Sequence, residues 1–96
     1  MKKAKYLITV RDNGVTCFKT VSGYYDYIDG LPLAAHKTGQ AWVITELSTG
    51  LAVITGTTRK EAFEKVQPMT AKVKELIQDR FYDTIKDKIK DAYTTM

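Results

Sequence analysis

Few residues in this chain have the type and spacing that covalent chemistry needs. His36 is its one histidine and Cys17 its one cysteine. An imidazole becomes a general base beside a nucleophile, or a metal ligand beside further ligands. His36 stands next to Lys37 in a stretch that reads as loop-like, which predicts a surface position, and there is no second histidine for a metal. Cys17 falls in a predicted strand with no acid–base partner near it in sequence and reads as a small core residue. A single cysteine excludes an intrachain disulfide. Ser22 and Ser48 both fall at turns, outside the strand–turn–helix setting of a nucleophile elbow. Neither G-x-x-x-x-G-K-[ST] nor G-x-G-x-x-G occurs. The expectation is a protein that is not an enzyme and uses no cofactor or metal.

What remains are surfaces. In "GYYDYIDG", Tyr24, Tyr25 and Tyr27 lie close together beside Asp26 and Asp29. Tyrosine offers contact area and a hydrogen-bonding tip at low entropic cost. The flanking aspartates suit a basic protein surface better than nucleic acid. The competing reading packs Tyr24, Tyr27 and Ile28 onto a sheet and leaves Tyr25 exposed.

The second surface is "KELIQDRFYDTIKDKIKDAY", residues 74–93. Taken every fourth residue, Val73, Ile77, Phe81, Ile85, Ile89 and Tyr93 form an apolar row. Glu75, Asp79, Asp83, Asp87 and Asp91 form an acidic one. An i, i+4 row drifts about 40° per step around a helix, so this ridge winds away from any one sheet. Ile85, Ile89 and Tyr93 are therefore candidate contacts for a partner, unless a twisted sheet follows the ridge. Asp79, Asp83 and Asp87 could imitate a line of phosphates. Against mimicry, Asp83–Lys86, Asp87–Lys90 and similar i, i+3 pairs read as a solvated face, and residues 70–96 hold six basic and five acidic side chains. A third surface, for nucleic acid, would use Lys2, Lys3, Lys5, Arg11 and Lys19 near Phe18, though the usual aromatic pattern of an RNA-binding sheet is missing.

These residues need elements to hold them. Asn13-Gly14 supplies the two positive-φ residues of a type I′ turn, predicting a hairpin in which Val10 faces Cys17, Ile8 faces Lys19 and Tyr6 faces Val21. Tyr6, Ile8, Val10, Cys17 and Val21 then share the core face, and Leu7 and Phe18 are apolar exceptions on the other. The Gly23–Gly30 stretch has room for one helical turn or a structured loop, and "LAAHKTGQ" for a short strand. "AWVITELSTGLAVITG" reads as a second hairpin, apolar on both faces and hence central in the sheet. Thr58 and Glu61 match a capping box, and Pro68 breaks the helix near Gln67. A second helix is expected from about Met69 to about Tyr93, roughly 36 Å long.

The fold class is therefore α+β: an antiparallel four- to five-stranded sheet followed by a short helix and a long C-terminal helix. The 96 residues make one domain, with 1–56 the sheet and 57–96 the helical part. A net charge of +4 with interspersed acids and bases gives no single focused patch. The apolar run after "MKK" stops at Arg11, short of a signal sequence, and no window approaches a membrane span. The predicted compartment is the cytoplasm, with no membrane partner.

The stretch "WVITELSTGLAVITGTTRKEAFEKV" resembles segments of small accessory proteins of bacterial phages and mobile elements. A related arrangement occurs in HicB-like antitoxins, although no DNA-binding helix-turn-helix or ribbon follows here. The resemblance implies a non-enzymatic inhibitor or adaptor of the anti-CRISPR kind, acting in a bacterial host on a nucleic-acid-handling enzyme or complex. It carries over no functional residue. The leading expectation is thus a protein-binding inhibitor. The alternatives are a nucleic-acid-binding module built on the basic hairpin and a self-associating domain, a homodimer through the C-terminal helix.

Overall fold

A computed structural model describes residues 2–94, and the last two positions of the predicted helical part lie outside the described residues. The fold is α+β. Five strands, β1 (Lys2–Asp12), β2 (Val15–Ile28), β3 (Leu31–Thr38), β4 (Ala41–Glu46) and β5 (Leu51–Gly56), form an antiparallel meander in chain order. Helices α1 (Arg59–Val66), α2 (Thr70–Ile77) and α3 (Asp83–Thr94) follow. Among the described residues no helix is long and apolar enough to cross a membrane.

The first hairpin has the expected register, with Val10 opposite Cys17, Ile8 opposite Lys19 and Tyr6 opposite Val21. Asn13 and Gly14 take φ of 51° and 80°, as a type I′ turn requires. The core assignment changes within it. Leu7 is buried with Tyr6, while Cys17 is exposed near the tip of the hairpin, which extends beyond the core. A strand end beyond its covering layer exposes both faces.

The Gly23–Gly30 stretch is neither a helical turn nor a loop. β2 runs straight through it to Ile28, pairing Tyr24 with Ala35 and Tyr25 with Ala34. The turn is Asp29-Gly30, with φ of 51° and 81°, a second pair of positive-φ residues like Asn13-Gly14. β3, not the β4–β5 hairpin, is therefore the central strand, and β5 is last in the order. β3 is buried on both faces. One face, with Leu31, Leu33 and Ala35, joins Ile44, Ala62, Phe63, Val66 and Val73 in the main core under α1 and α2. On the other, His36 is buried rather than on the surface. Its Nδ1 lies 3.2 Å from the Tyr6 hydroxyl. Gly23 permits this reach: a Cβ there would stand 3.0 Å from that hydroxyl and would collide with the Ala35 carbonyl oxygen.

The sheet curls until β1 meets the β4–β5 turn. Thr9 donates its amide to the Gly50 carbonyl at 2.7 Å and its hydroxyl to the Thr49 carbonyl at 2.6 Å. A Cβ on Gly50 would lie 2.5 Å from Ile89 Cδ1 and 2.7 Å from Thr9 Oγ1, so strand, turn and α3 converge on bare backbone. Along the same strand the Leu7 amide donates to the Tyr93 hydroxyl at 3.0 Å. α3 thus covers an edge whose amides would otherwise be open to pairing.

The helices begin as expected and then depart. Thr58 caps α1, its hydroxyl accepting from the Glu61 amide at 3.0 Å. Pro68 turns the chain through a 3₁₀ segment, Gln67–Met69. The expected unbroken helix from 69 to 93 is interrupted after Ile77. Asp79 adopts extended backbone (φ −65°, ψ 137°) and its carboxylate accepts from the Phe81 amide at 2.9 Å, starting a 3₁₀ turn, Arg80–Tyr82, that leads into α3. Two causes combine. Asp competes for backbone amides and so favours caps over helix interiors. A rod of roughly 36 Å also exceeds the domain's longest extent, 30 Å. Breaking it lets α2 and α3 dock in different directions, so the winding ridge needs no continuous cover.

Candidate binding surfaces

The break determines which apolar side chains stay outside. Val73 and Ile89 go inside, Ile89 to 2% exposure, while Phe81 is left 75% exposed and Leu76 49%. Leu76 lines an apolar groove, and Phe81 packs on Tyr82 at its rim. Leu51, Val53, Met69, Val73, Leu76 and Ile77 form its walls, with Lys72 and Tyr82 at the rim and Glu46 and Thr49 behind, around a volume of about 300 Å³. Phe81 packs edge to face on Tyr82, their ring centroids 5.2 Å apart. Among the described residues Lys72 forms no ion pair; the pairs found are Lys65–Glu61 and Lys86–Asp83.

Behind the groove, Glu46 is 1% exposed. Its Oε1 accepts from the Ser48 hydroxyl (2.6 Å), the Thr49 hydroxyl (3.0 Å) and the Thr49 amide (3.1 Å). Its Oε2 accepts from the Ser48 amide at 2.7 Å. A buried carboxylate needs such a set of donors to offset desolvation. Here the donors are the turn itself, so the carboxylate shapes the S-T-G corner on which β1 and α3 close.

The residues singled out in sequence are distributed over several places. Tyr25 and Tyr27 meet edge to face, centroids 6.4 Å apart, and with Tyr93 line a shallow cleft that Lys5, Pro32 and Ser48 complete. This joins two stretches that were separate in sequence. Tyr27 is 65% exposed, and Asp26 accepts from its amide at 2.8 Å. Asp29 is engaged within the chain, accepting the Thr70 hydroxyl at 2.7 Å and tying the β2–β3 turn to α2. Asp79 is likewise engaged as the cap of the 3₁₀ turn. Asp83 and Asp87 are exposed on α3, and Asp83 lies 3.9 Å from Lys86. Ile85 is half-buried. Ile89 and Tyr93 contact β1 and the Gly50 turn, so in the helical part the large exposed apolar side chains are Leu76 and Phe81 instead. Phe81 belongs to the apolar row read in sequence, but neither it nor Leu76 was among the expected partner contacts. The signal that could have found them is Asp79, a cap residue inside an otherwise helical run.

The five basic residues of the first hairpin also separate. Arg11 stands beside the turn at its tip. Lys19 acts on His36 only through its charge: the His36 pKa is lowered first by burial and then by that charge. Burial, then Tyr93, raises Tyr6 above the ordinary phenol value. Lys3 instead lies over Tyr24, its Nζ 5.9 Å from the ring centroid. Among the described residues no cluster of three or more His, Cys, Asp or Glu side chains could hold a metal ion. No protein-family model matches this chain, and no curated protein or solved structure matches it either.

Proposed function

We propose that this is a small non-enzymatic binding protein that captures a protein partner in the groove between β5 and α2. The observation that carries the reading is the exposure of Leu76 in that apolar groove and of Phe81 on its rim residue Tyr82. Large apolar side chains grouped at a concave site on a small domain mark an interaction surface more often than chance. The fitting partner presents a short segment with an apolar anchor for the groove and a carboxylate for Lys72. An inhibitor of a nucleic-acid-handling complex is one such binding protein, and that narrower identity rests on the sequence resemblance alone.

Affinity capture from bacterial lysate, comparing wild type with a Leu76→Ser/Phe81→Ser double variant, tests the reading. Residues this exposed are expected to leave folding nearly unchanged. A central anchor is worth at least about 2 kcal/mol, so capture of the partner should fall by roughly thirtyfold. Cross-links from the captured protein should map to Val53, Lys72 or Tyr82. Equal capture by both proteins refutes the groove. A concentration-dependent mass that the variant abolishes would replace a foreign partner with a second copy of this chain.

A further inference from the structure

We propose that a separate cluster, Tyr24, Trp42 and Arg59 with Lys3, Lys5 and Lys60 around it, is a binding surface for single-stranded nucleic acid. The Arg59 guanidinium lies over Tyr24, its carbon 4.1 Å from the ring centroid, and 6.0 Å from the Trp42 ring. Tyr24 and Trp42 are themselves 6.4 Å apart. Lys3 approaches the Tyr24 ring as well. Two cations therefore converge on one aromatic ring with a second ring beside it.

Tyr24 also forms the common wall of two shallow clefts. One, of about 450 Å³, continues along Lys3, Lys5 and Gly23. The other, of about 480 Å³, continues along Arg59, Lys60 and Gln67. Together they make a track with cations on both sides of a stacked aromatic centre. Among the described residues none of Lys3, Lys5, Arg59 and Lys60 forms an ion pair, and Glu64 is the one carboxylate lining either cleft. Arg59 and Lys60 are also the first two residues of α1, where the helix dipole adds to their charge.

This chemistry fits a polyanion with flat, unpaired rings. Lysines and an arginine take successive phosphates, while the guanidinium plane and the aromatic faces accept bases by stacking. Bases inside a duplex present no face to stack on, so the single strand is selected. An acidic protein segment would meet the charge but leave the stacked centre unused. The track shares no lining residue with the groove of the proposed function, so each reading can fail without the other.

Trp42 is the one tryptophan of the chain and reports on the site directly. Titration with a fluorescently labelled thymidine dodecamer at low salt should quench Trp42 and raise the anisotropy of the label. With four phosphates neutralised, log K should fall with log salt at a slope of about −3. An Arg59→Glu/Lys60→Glu variant, checked for folding by circular dichroism, should bind at least about tenfold more weakly. A Lys88→Glu/Lys90→Glu variant makes the same change in net charge on α3 and should bind within twofold of wild type. Should the first pair misfold, Lys3→Glu/Lys5→Glu serves in its place. Three results would overturn the inference: no binding at low salt, equal loss in the α3 variant, or inorganic polyphosphate competing as well as the dodecamer does at equal charge.

Discussion

Replacing Glu46 by Gln sets two large opposing effects against each other. The substitution keeps shape and volume but removes the charge and one acceptor. Its better orientation leaves the amide oxygen where Oε1 stands, keeping the Ser48 hydroxyl and both Thr49 donors. The amide nitrogen then points at the Ser48 N–H, which now donates to Oε2 at 2.7 Å, so two donors face each other. An orphaned donor in this setting costs about 1–3 kcal/mol, and each of the other bonds loses about 1 kcal/mol as its acceptor becomes neutral. Against this, an uncharged side chain is released from a desolvation penalty of several kcal/mol. With bond losses of about 4–6 kcal/mol against a relief of about 3 kcal/mol, the bonds should win, with a net loss of about 1–3 kcal/mol. A chain of this size has roughly 5–14 kcal/mol in total. The melting midpoint should therefore fall by about 4–24 °C, and the urea midpoint, followed by Trp42 fluorescence, by about 0.3–3 M. Ser48→Ala, which removes a single hydroxyl donor, should cost about 1–2 kcal/mol. A Gln variant as stable as the wild type, or more so, would refute the reasoning, because desolvation of the charge would then outweigh its bonds.

Two further outcomes follow from buried polar groups. Among the described residues the Thr45 hydroxyl is buried with no hydrogen-bond partner, so Thr45→Val should raise stability by about 1 kcal/mol; a calorimetric loss of that size would show that the hydroxyl is satisfied after all. His36 has a folded pKa below its ordinary 6.5, so the unfolded chain binds the proton more readily. Stability should be full above about pH 6.5 and fall as pH drops through 6.5 toward the folded value. Urea midpoints between pH 7.5 and 5.5 should show this in the wild type and lose it in His36→Gln; an equal slope in both would assign the effect to other groups.

Much of the framework was legible because short-range chemistry decides it. Asn13-Gly14 can make only one kind of tight turn, and that turn alone sets the register of β1 on β2. Thr58 and Pro68 start and end α1 through groups within a few residues of them. Asp29-Gly30 carries the same signal as Asn13-Gly14. It was obscured by Gly23, which reads as punctuation yet stands inside β2 to let Tyr6 reach His36. No local pattern reveals that a glycine is needed for a contact between two residues thirty apart in the chain.

Sequence alone determined the fold class, the turn chemistry, the first hairpin's register and the supply of side chains available for binding. Tertiary structure decided which of them face water. The groove draws on residues from Glu46 to Tyr82, and the cationic track on Lys3, Tyr24, Trp42 and Arg59 from four elements. Periodicity assigns an apolar residue to a ridge, but the direction of that ridge depends on where the chain stops being helical. Here Asp79 ends one helix within a domain too short for an unbroken rod. That break turns Ile89 inward onto the Gly50 corner and leaves Phe81 outside. Exposure is a property of the whole packed arrangement, because each side chain is covered only by elements whose positions distant residues determine.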